Sequence, residues 1–457
     1  MAKLFGTDGI RGPAGKFPLD AATIRVLGSS LATHLREQLD DRIPLIVIGR
    51  DTRESGAWIE QAFREGASQA GAECKSAGVI TTPGVAFLAR TLPADAGVVI
   101  SASHNPFQDN GVKIFSPSGK KVDDAIERLI EADIISANNQ RGESAAHSDS
   151  VETEVDEASQ LRARYLNFLI EEIARGLSLC NLTMVIDCAN GAASAIAPEL
   201  FKRLGAKVFA INNQPDGRNI NLNCGSLHIQ GLQQKVREES ADIGVAFDGD
   251  ADRALFVDAS GDFVDGDATL WALTRHLNGL AKIKHGMVVA TVMSNIGLEI
   301  ALRSLGVQLV RTDVGDKYVL EELLRTGATL GGEQSGHLIF PELSLAGDGL
   351  ITTLCLLRAM VDDGGKTLSH LTAGFNRYPQ ILVNIRVTEK KPFDEMENVR
   401  VLAQEIEAEL GDRGRLLLRY SGTESLARVM IEGENQKEIE VSANRLATAI
   451  KEEIGSA

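Results

Sequence analysis

Ala96-Gly97-Val98-Val99-Ile100-Ser101-Ala102-Ser103-His104-Asn105-Pro106 is the stretch on which the reading of the fold turns. An apolar, β-branched run stops in a polar loop, and Gln108-Asp109-Asn110-Gly111-Val112-Lys113 follows with an Asn-Gly turn signal. Such a run reads as a buried central strand, and α/β proteins place their chemistry in the loop beyond a strand's carboxyl end. Ser103 is then the first candidate for a reacting group, beside an imidazole, an amide and the ammonium of Lys113. Ser-His-Asn-Pro is also good turn composition, so the rest of the chain has to decide between chemistry and a plain loop.

The same strand-then-loop pattern recurs. Strands are expected at 44–49, 96–101, 183–188, 243–247 and 287–291, alternating with amphipathic helices at 21–39, 161–173, 232–240, 295–305, 350–361, 399–410 and 438–454. That alternation is the pattern of sheets covered by helices. The last part differs: runs at 381–387, 415–419 and 426–432 with two helices suggest a small α+β domain on an antiparallel sheet. Residues 139–160, rich in Ser, Glu and Asp and without apolar period, read as a linker, and further breaks fall at 258–266 and 364–377. The fold class is therefore α/β, three similar α/β domains plus a C-terminal α+β domain, divided at 1–154, 155–256, 257–372 and 373–457.

With 457 residues the chain exceeds one hydrophobic core. Apolar content of 44% and charged content of 24% are ordinary for a soluble protein. No run approaches a bilayer span, and the start Met1-Ala2-Lys3-Leu4 is no signal peptide, so a cytoplasmic location is expected. Five scattered cysteines without a Cys-x-x-Cys pair read as reduced thiols. A net charge of −16 argues against nucleic acid or an anionic membrane as partner. An anionic substrate would need a local cationic cluster.

Asp248-Gly249-Asp250-Ala251-Asp252-Arg253 follows the apolar run 243–247. Three carboxylates at alternate positions repel unless a cation lies among them, and hard oxygen donors suit Mg²⁺. An EF-hand is excluded, because Arg253 and Ala259 stand where that loop needs Gly and Glu. Gly331-Gly332-Glu333-Gln334-Ser335-Gly336-His337 offers close backbone approach with donors and acceptors for vicinal hydroxyls. Arg419-Tyr420-Ser421-Gly422-Thr423-Glu424, with Arg428 beyond it, makes a cage for a dianionic phosphate and supplies the cationic cluster that the net charge demands. Arg11, in Phe5-Gly6-Thr7-Asp8-Gly9-Ile10-Arg11-Gly12, and the arginines of Gly49-Arg50-Asp51-Thr52-Arg53 complete the set; surface ion pairs are the ordinary expectation for them.

These motifs, in this order, resemble the α-D-phosphohexomutase family over essentially the whole chain. Gln334, Asn219-Ile220-Asn221 with Cys224-Gly225-Ser226, and Val314-Gly315-Asp316-Lys317-Tyr318 resemble its amino-sugar branch. The resemblance implies mixed sheets in four domains around a central cleft, carrying in turn a phosphoserine, a metal, a sugar-reading loop and a phosphate loop. Ser103 would carry the phosphoryl group and, with Asp248, Asp250 and Asp252, hold Mg²⁺. Glu333, Ser335 and His337 would read sugar hydroxyls, with Arg253 beside the metal loop. Arg419, Ser421, Gly422, Thr423 and Arg428 would grip the non-reacting phosphate. Arg11 and Lys113 match positions beside the phosphoserine. Lys113, if neighbouring cations depress its pKa, or His104 would take the proton of the attacking hydroxyl. The implied partner is a small phosphosugar, with glucosamine 1,6-bisphosphate as intermediate and activator; a homodimer is compatible with this. Neutral-hexose members of the family are the alternative, and a phosphatase or a sugar-phosphate sensor is the reading from another class. Many relatives carry proline where Tyr420 and Ser425 stand, which implies a looser phosphate loop here.

Overall fold

A computed structural model describes residues 4–6, 8–39, 42–139, 155–421 and 424–455. The chain forms two compact units, one of residues 1–292 with 310–373 and one of 293–309 with 374–457.

The first unit is built on mixed sheets. Its six-stranded sheet runs in the order Phe5–Gly6, Gly9–Pro13, Asp109–Phe115, Ala96–Ile100, Leu45–Arg50, Glu73–Val79. Leu45–Arg50 pairs in parallel with both its neighbours, whereas Ala96–Ile100 and Asp109–Phe115 are antiparallel. All five residues of Ala96–Ile100 are buried, which explains why that run is apolar throughout rather than alternating. Helices Ala21–Gln38 and Gly56–Gln69 cross in close contact because Gly28 and Gly66 lack a side chain. A Cβ on Gly66 would lie 1.9 Å from the Arg25 carbonyl oxygen, and one on Gly28 2.2 Å from that of Phe63. Leu27, Leu31, Ile59 and Phe63 are fully buried around this crossing; each is worth roughly 1.5–3 kcal/mol of transfer free energy.

A five-stranded sheet follows in the order Phe263–Val264, Ala254–Asp258, Ile243–Phe247, Thr183–Asp187, Lys207–Ile211, again mixed. In the next, Met287–Thr291 pairs in parallel with Gly331–Gly332, which pairs antiparallel with Leu338–Ile339. The second unit carries a three-stranded, wholly antiparallel sheet, Gln380–Arg386, Leu426–Glu432, Arg415–Tyr420, packed with helices Glu397–Leu410 and Gln436–Ile454 around Val429, Ile431 and Leu446.

The expected strands are found within a residue or two of the expected bounds. The expected linker at 139–160 is corrected at its end: a helix, Val155–Phe168, already begins there and closes in a π-helical turn, Leu169–Ile173. Between residues 156 and 160 it buries Ala158 alone, so the 3.6-residue signal is missing from a polar stretch. Residues 140–154 lie outside the described residues. Among the described residues no helix is long and apolar enough to cross a membrane.

Candidate active site

Strand Ala96–Ile100 hands the chain to Ser101, whose amide donates to the Gly111 carbonyl at 3.0 Å. Two residues on, Ser103 adopts φ +50°, the left-handed region, with its amide donating to Ser101 Oγ at 2.9 Å. That conformation costs roughly 1–2 kcal/mol for a residue with a side chain, and the surroundings hold it in place. Arg53 donates to the carbonyls of Ser103 and Asn105 at 3.2 and 2.5 Å, and Asn221 donates to the same two at 2.8 and 3.0 Å. The expectation of a surface ion pair fails for Arg53. It is 1% exposed and paired with the equally buried Asp51, because the loop after Arg50 turns inward beneath the serine loop.

The metal-loop candidates converge on the same point. Asp248, Asp250 and Asp252 are buried, with ligand atoms within 4.8 Å of one another. Ser103 Oγ donates to Asp248 Oδ2 at 2.5 Å. Gly249 permits this approach, since a Cβ there would lie 2.5 Å from the Ser103 carbonyl oxygen. Thr82 donates to Asp250 at 2.6 Å, and Lys113 Nζ reaches Asp250 at 3.0 Å, Asp8 at 3.1 Å and Asp252 at 3.5 Å. Oδ1 of Asp250 and Oδ1 of Asp252 are buried without a hydrogen-bond partner. Burial, then repulsion from Asp252 and Asp250, pushes the Asp248 carboxyl well above its usual range. Asp252 is held well below it, because Lys113 and His337 outweigh the cost of burial. Hard oxygen donors, two of them orphaned, fit a small divalent cation.

The condition attached to Lys113 as a base is not met by its neighbours. Burial favours the neutral amine, but Asp250, Asp8 and Asp252 outweigh it and hold the pKa above the ordinary lysine value. Three carboxylates face its ammonium and outweigh the nearby Arg11 guanidinium. His104 Nδ1 lies 3.4 Å from Ser103 Oγ, and burial, with Arg253 and Arg11, lowers its pKa to about 4. It is therefore a neutral imidazole at physiological pH. Arg11 pairs with Asp8, and the Arg253 amide donates to Asp248 Oδ1 at 3.2 Å.

In the sugar-loop candidate, the Glu333 amide donates to the His337 carbonyl at 3.0 Å, with Gly336 at φ +88° closing the turn. Glu333 Oε1 accepts from the Gly315 amide at 3.1 Å, and Ser335 Oγ is buried without a partner. His337 is pushed up to about 9: burial alone would lower it, but Asp252 and Asp316 outweigh it. Gln334, read from the sequence as an amino-sugar marker, donates to Asp267 at 3.4 Å. A cavity of about 370 Å³ opens beside Lys113, Asp252 and His337.

The second unit carries the phosphate-cage candidates. Arg419 and Arg428 stand directly opposite each other on adjacent antiparallel strands. Arg428 reaches Ser421 Oγ at 3.5 Å and Glu424 at 3.3 Å, and Ser421 is 3% exposed. Gly422 and Thr423 lie outside the described residues. The looser loop expected from Tyr420 is corrected on one side. The Tyr420 ring stacks on Phe393 at 4.4 Å and its hydroxyl donates to the Lys391 carbonyl, an anchor that does the work of a fixed φ. Lys390, unremarked in the sequence, donates to the Ser421 carbonyl at 2.6 Å. Asp8, Asn221, Asp316 and Arg53 were missed as site residues although each lies in a quoted motif; Thr82 had no such signal.

Comparison with known proteins gives one answer along the whole chain. Family models described as phosphoglucomutase/phosphomannomutase α/β/α domains I, II and III and C-terminal domain match residues 2–141, 163–261, 265–378 and 382–449. A phosphoglucosamine mutase from Solibacter usitatus is 49% identical over 100% of both chains. One from Caldicellulosiruptor saccharolyticus is 46% identical over 99% of both. A phosphoglucomutase/phosphomannomutase family protein from Burkholderia thailandensis superposes with a TM-score of 0.79 at 25% identity, covering 98% of this chain and 97% of that one. An N-acetylphosphoglucosamine mutase from Aspergillus fumigatus, solved with GlcNAc-6P and magnesium, shares the fold with a TM-score of 0.63 at 18% identity, covering 94% and 98%. The chain belongs to the phosphoglucomutase/phosphomannomutase family, and is a phosphohexomutase, an isomerase, most like phosphoglucosamine mutase.

Proposed function

We propose that the chain interconverts glucosamine 6-phosphate and glucosamine 1-phosphate through a phosphoserine at Ser103 and glucosamine 1,6-bisphosphate, which also serves as activator. The observation that carries this reading is the buried Ser103 hydroxyl set 2.5 Å from Asp248 within the cluster of three carboxylates. A serine so placed faces a cation site rather than the His–carboxylate relay that activates a free nucleophile, so it suits a stored phosphoryl group. The amino sugar is supported by the full-length relatives named phosphoglucosamine mutase, 42–49% identical.

Asp248, Asp250 and Asp252, with the phosphoserine, would hold Mg²⁺, which when bound would draw charge from the phosphoryl oxygens. Arg11 and Lys113 bring fixed positive charge to the same face. In the forward half-reaction the phosphorus–oxygen bond to Ser103 breaks as the 1-hydroxyl oxygen bonds to phosphorus. The hydroxyl proton passes to a base, for which neutral His104 is in the right protonation state, while the Ser103 oxygen leaves with the bonding electron pair and takes up a proton. The bisphosphate then turns over and returns its 6-phosphoryl group to Ser103, leaving the 1-phosphate. Glu333, Ser335 and His337 bind the sugar hydroxyls, with Arg253 beside the metal loop. Arg419, Ser421, Gly422, Thr423 and Arg428 hold the distal phosphate in both half-reactions. The division into four domains at 154/155, 256/257 and 372/373 and a cytoplasmic location belong to the same reading; all five cysteines are free thiols, as a reducing compartment requires.

The test compares glucosamine 6-phosphate with glucose and mannose 6-phosphates, in Mg²⁺ and trace bisphosphate. A neutral hexose preferred by more than about tenfold, roughly 1.4 kcal/mol, would overturn the substrate assignment. Ser103→Ala should abolish turnover with an unchanged unfolding midpoint; substantial residual mutase activity would overturn the phosphoserine.

A further inference from the structure

Six side chains of the first unit close a ring of alternating charge along the wall of the 370 Å³ cavity. Lys113 lies 3.5 Å from Asp252, Asp252 lies 3.6 Å from His337, and His337 lies 3.9 Å from Asp316. Lys121 then lies 2.7 Å from Asp316 and 2.5 Å from Asp8, and Asp8 returns to Lys113 at 3.1 Å. Each charge has an opposite charge on either side.

Lys121 has no place in the chemistry above, yet the local fold directs it here. Lys113 and Phe115 lie two apart on strand Asp109–Phe115 and so share a face. The tight turn through Gly119, at φ +80°, brings the chain back so that Lys121 pairs antiparallel with Phe115. Cross-strand partners lie on one face, so the ammonium of Lys121 emerges beside that of Lys113. Like charges there are tolerated because Asp8 stands between them: Oδ1 accepts from Lys121, while Oδ2 takes Lys113 and Arg11. The other carboxylate held by Lys121 comes from far along the chain. Asp316 opens helix Asp316–Thr326, directly after Gly315, whose amide is held by Glu333. A single ammonium thus ties the edge carrying Asp316, Glu333 and His337 to the edge carrying Asp8, Arg11 and Lys113.

We infer that Lys121 is a positioning residue: it sets the separation between the sugar-reading edge and the phosphoryl-transfer edge by holding Asp8 and Asp316 at once. The consequence for turnover rests on the function proposed above; the ring is independent of it. A misplacement of about 1 Å between binding and reacting groups can cost on the order of a hundredfold in rate. Ordinary exposed pairs contribute little, but removal of Lys121 leaves two carboxylates facing each other with their shared cation gone.

The experiment uses the full chain with Mg²⁺ and bisphosphate, and the variants Lys121→Met, Lys121→Arg, Asp316→Asn and the Met/Asn double. Lys121→Met should lower kcat by about ten- to a hundredfold with little change in KM, and Lys121→Arg should recover most of it. The double variant should lose less than the product of the two single losses, since both remove the Lys121–Asp316 pair, although Asp316→Asn also takes a partner from His337. Wild-type kcat in Lys121→Met, no rescue by Arg, or multiplied losses in the double would each overturn the inference. If Lys121→Met does not fold, Asp316→Asn cuts the same link from the other side and is read alike. Should the wild type turn over no hexose phosphate, the proposed function falls, and amide hydrogen exchange across residues 313–318 decides the inference instead. Faster exchange in the Met variant but not the Arg variant supports it, and unchanged exchange overturns it.

Discussion

Ser103 Oγ and Asp248 Oδ2 meet at 2.5 Å across 145 residues of chain, which joins the serine loop to the carboxylate loop at one hydrogen bond. The three aspartates around that bond repel one another, and two of their oxygens are buried without a partner. A divalent cation should therefore stabilise the folded chain, by about 2.7 kcal/mol at a hundred times its Kd. Asp248→Asn should raise the unfolding midpoint in EDTA, by easing the repulsion, and lose most of the increase on adding Mg²⁺. Thermal unfolding with and without the ion reads both; an equal Mg²⁺ shift in the two proteins would refute the assignment.

Arg53 is the buried support of the serine loop. It neutralises Asp51 and donates to two loop carbonyls from a position with no exposed side-chain surface. Arg53→Met takes the guanidinium partner from buried Asp51 and leaves the two carbonyls to Asn221 alone, a change expected to cost about 3–5 kcal/mol. Arg53→Met with Asp51→Asn removes the stranded charge and should recover part of that loss. It should not recover turnover, because Asn221 alone then holds the two carbonyls. Urea unfolding and kcat are the two readouts, and full activity in the double variant would contradict this role.

Arg419 and Arg428 face each other across antiparallel strands, where like charges oppose pairing. In the proposed cage a dianion between them would offset that repulsion. Arg428→Gln should change stability by less than about 1 kcal/mol in phosphate-free buffer, while raising KM for the sugar phosphate. It should also abolish the stabilisation that added phosphate gives the wild type. Unfolding in phosphate and in a non-binding buffer measures this directly, and an unaltered phosphate response would exclude Arg428 from the cage.

Much of this was legible in the sequence because the relevant physics is local. Ala96–Ile100 and Ile243–Phe247 are buried on both faces and therefore apolar in every position, and each ends in its polar loop where the composition changes. What escaped depends on long-range packing. Arg53 reads as surface because arginine ordinarily is, and only the fold shows that Ser103 and Asn105 turn their carbonyls toward it. Lys113 was read as a base on condition that cations depress its pKa, whereas the carboxylates of Asp8, Asp250 and Asp252 arrive from two distant loops and do the opposite. Gln334 was read as an amino-sugar marker, and its bond to Asp267, from another element, was not legible in the sequence. Helix Val155–Phe168 begins in a polar stretch whose residues 156–160 bury Ala158 alone.

Asp348 gives the fold a pH dependence of its own, beside the carboxylate loop. It caps helix Gly349–Asp362 through the Leu350 and Ile351 amides and accepts from the Tyr165 hydroxyl at 2.6 Å. Burial outweighs these bonds and pushes its pKa up from 3.8 to about 6. The folded chain therefore holds this proton more tightly than the unfolded chain. The associated stability is complete below about pH 4 and is lost as pH rises through 6, by about 3 kcal/mol at pH 7. Asn at this position retains the cap and can donate its amide to the Tyr165 oxygen, and it does not titrate. Asp348→Asn should therefore gain on the wild type by up to about 3 kcal/mol between pH 4 and pH 7. Urea unfolding of both proteins across that range checks it, and a difference that stays constant with pH would show that Asp348 is charged throughout.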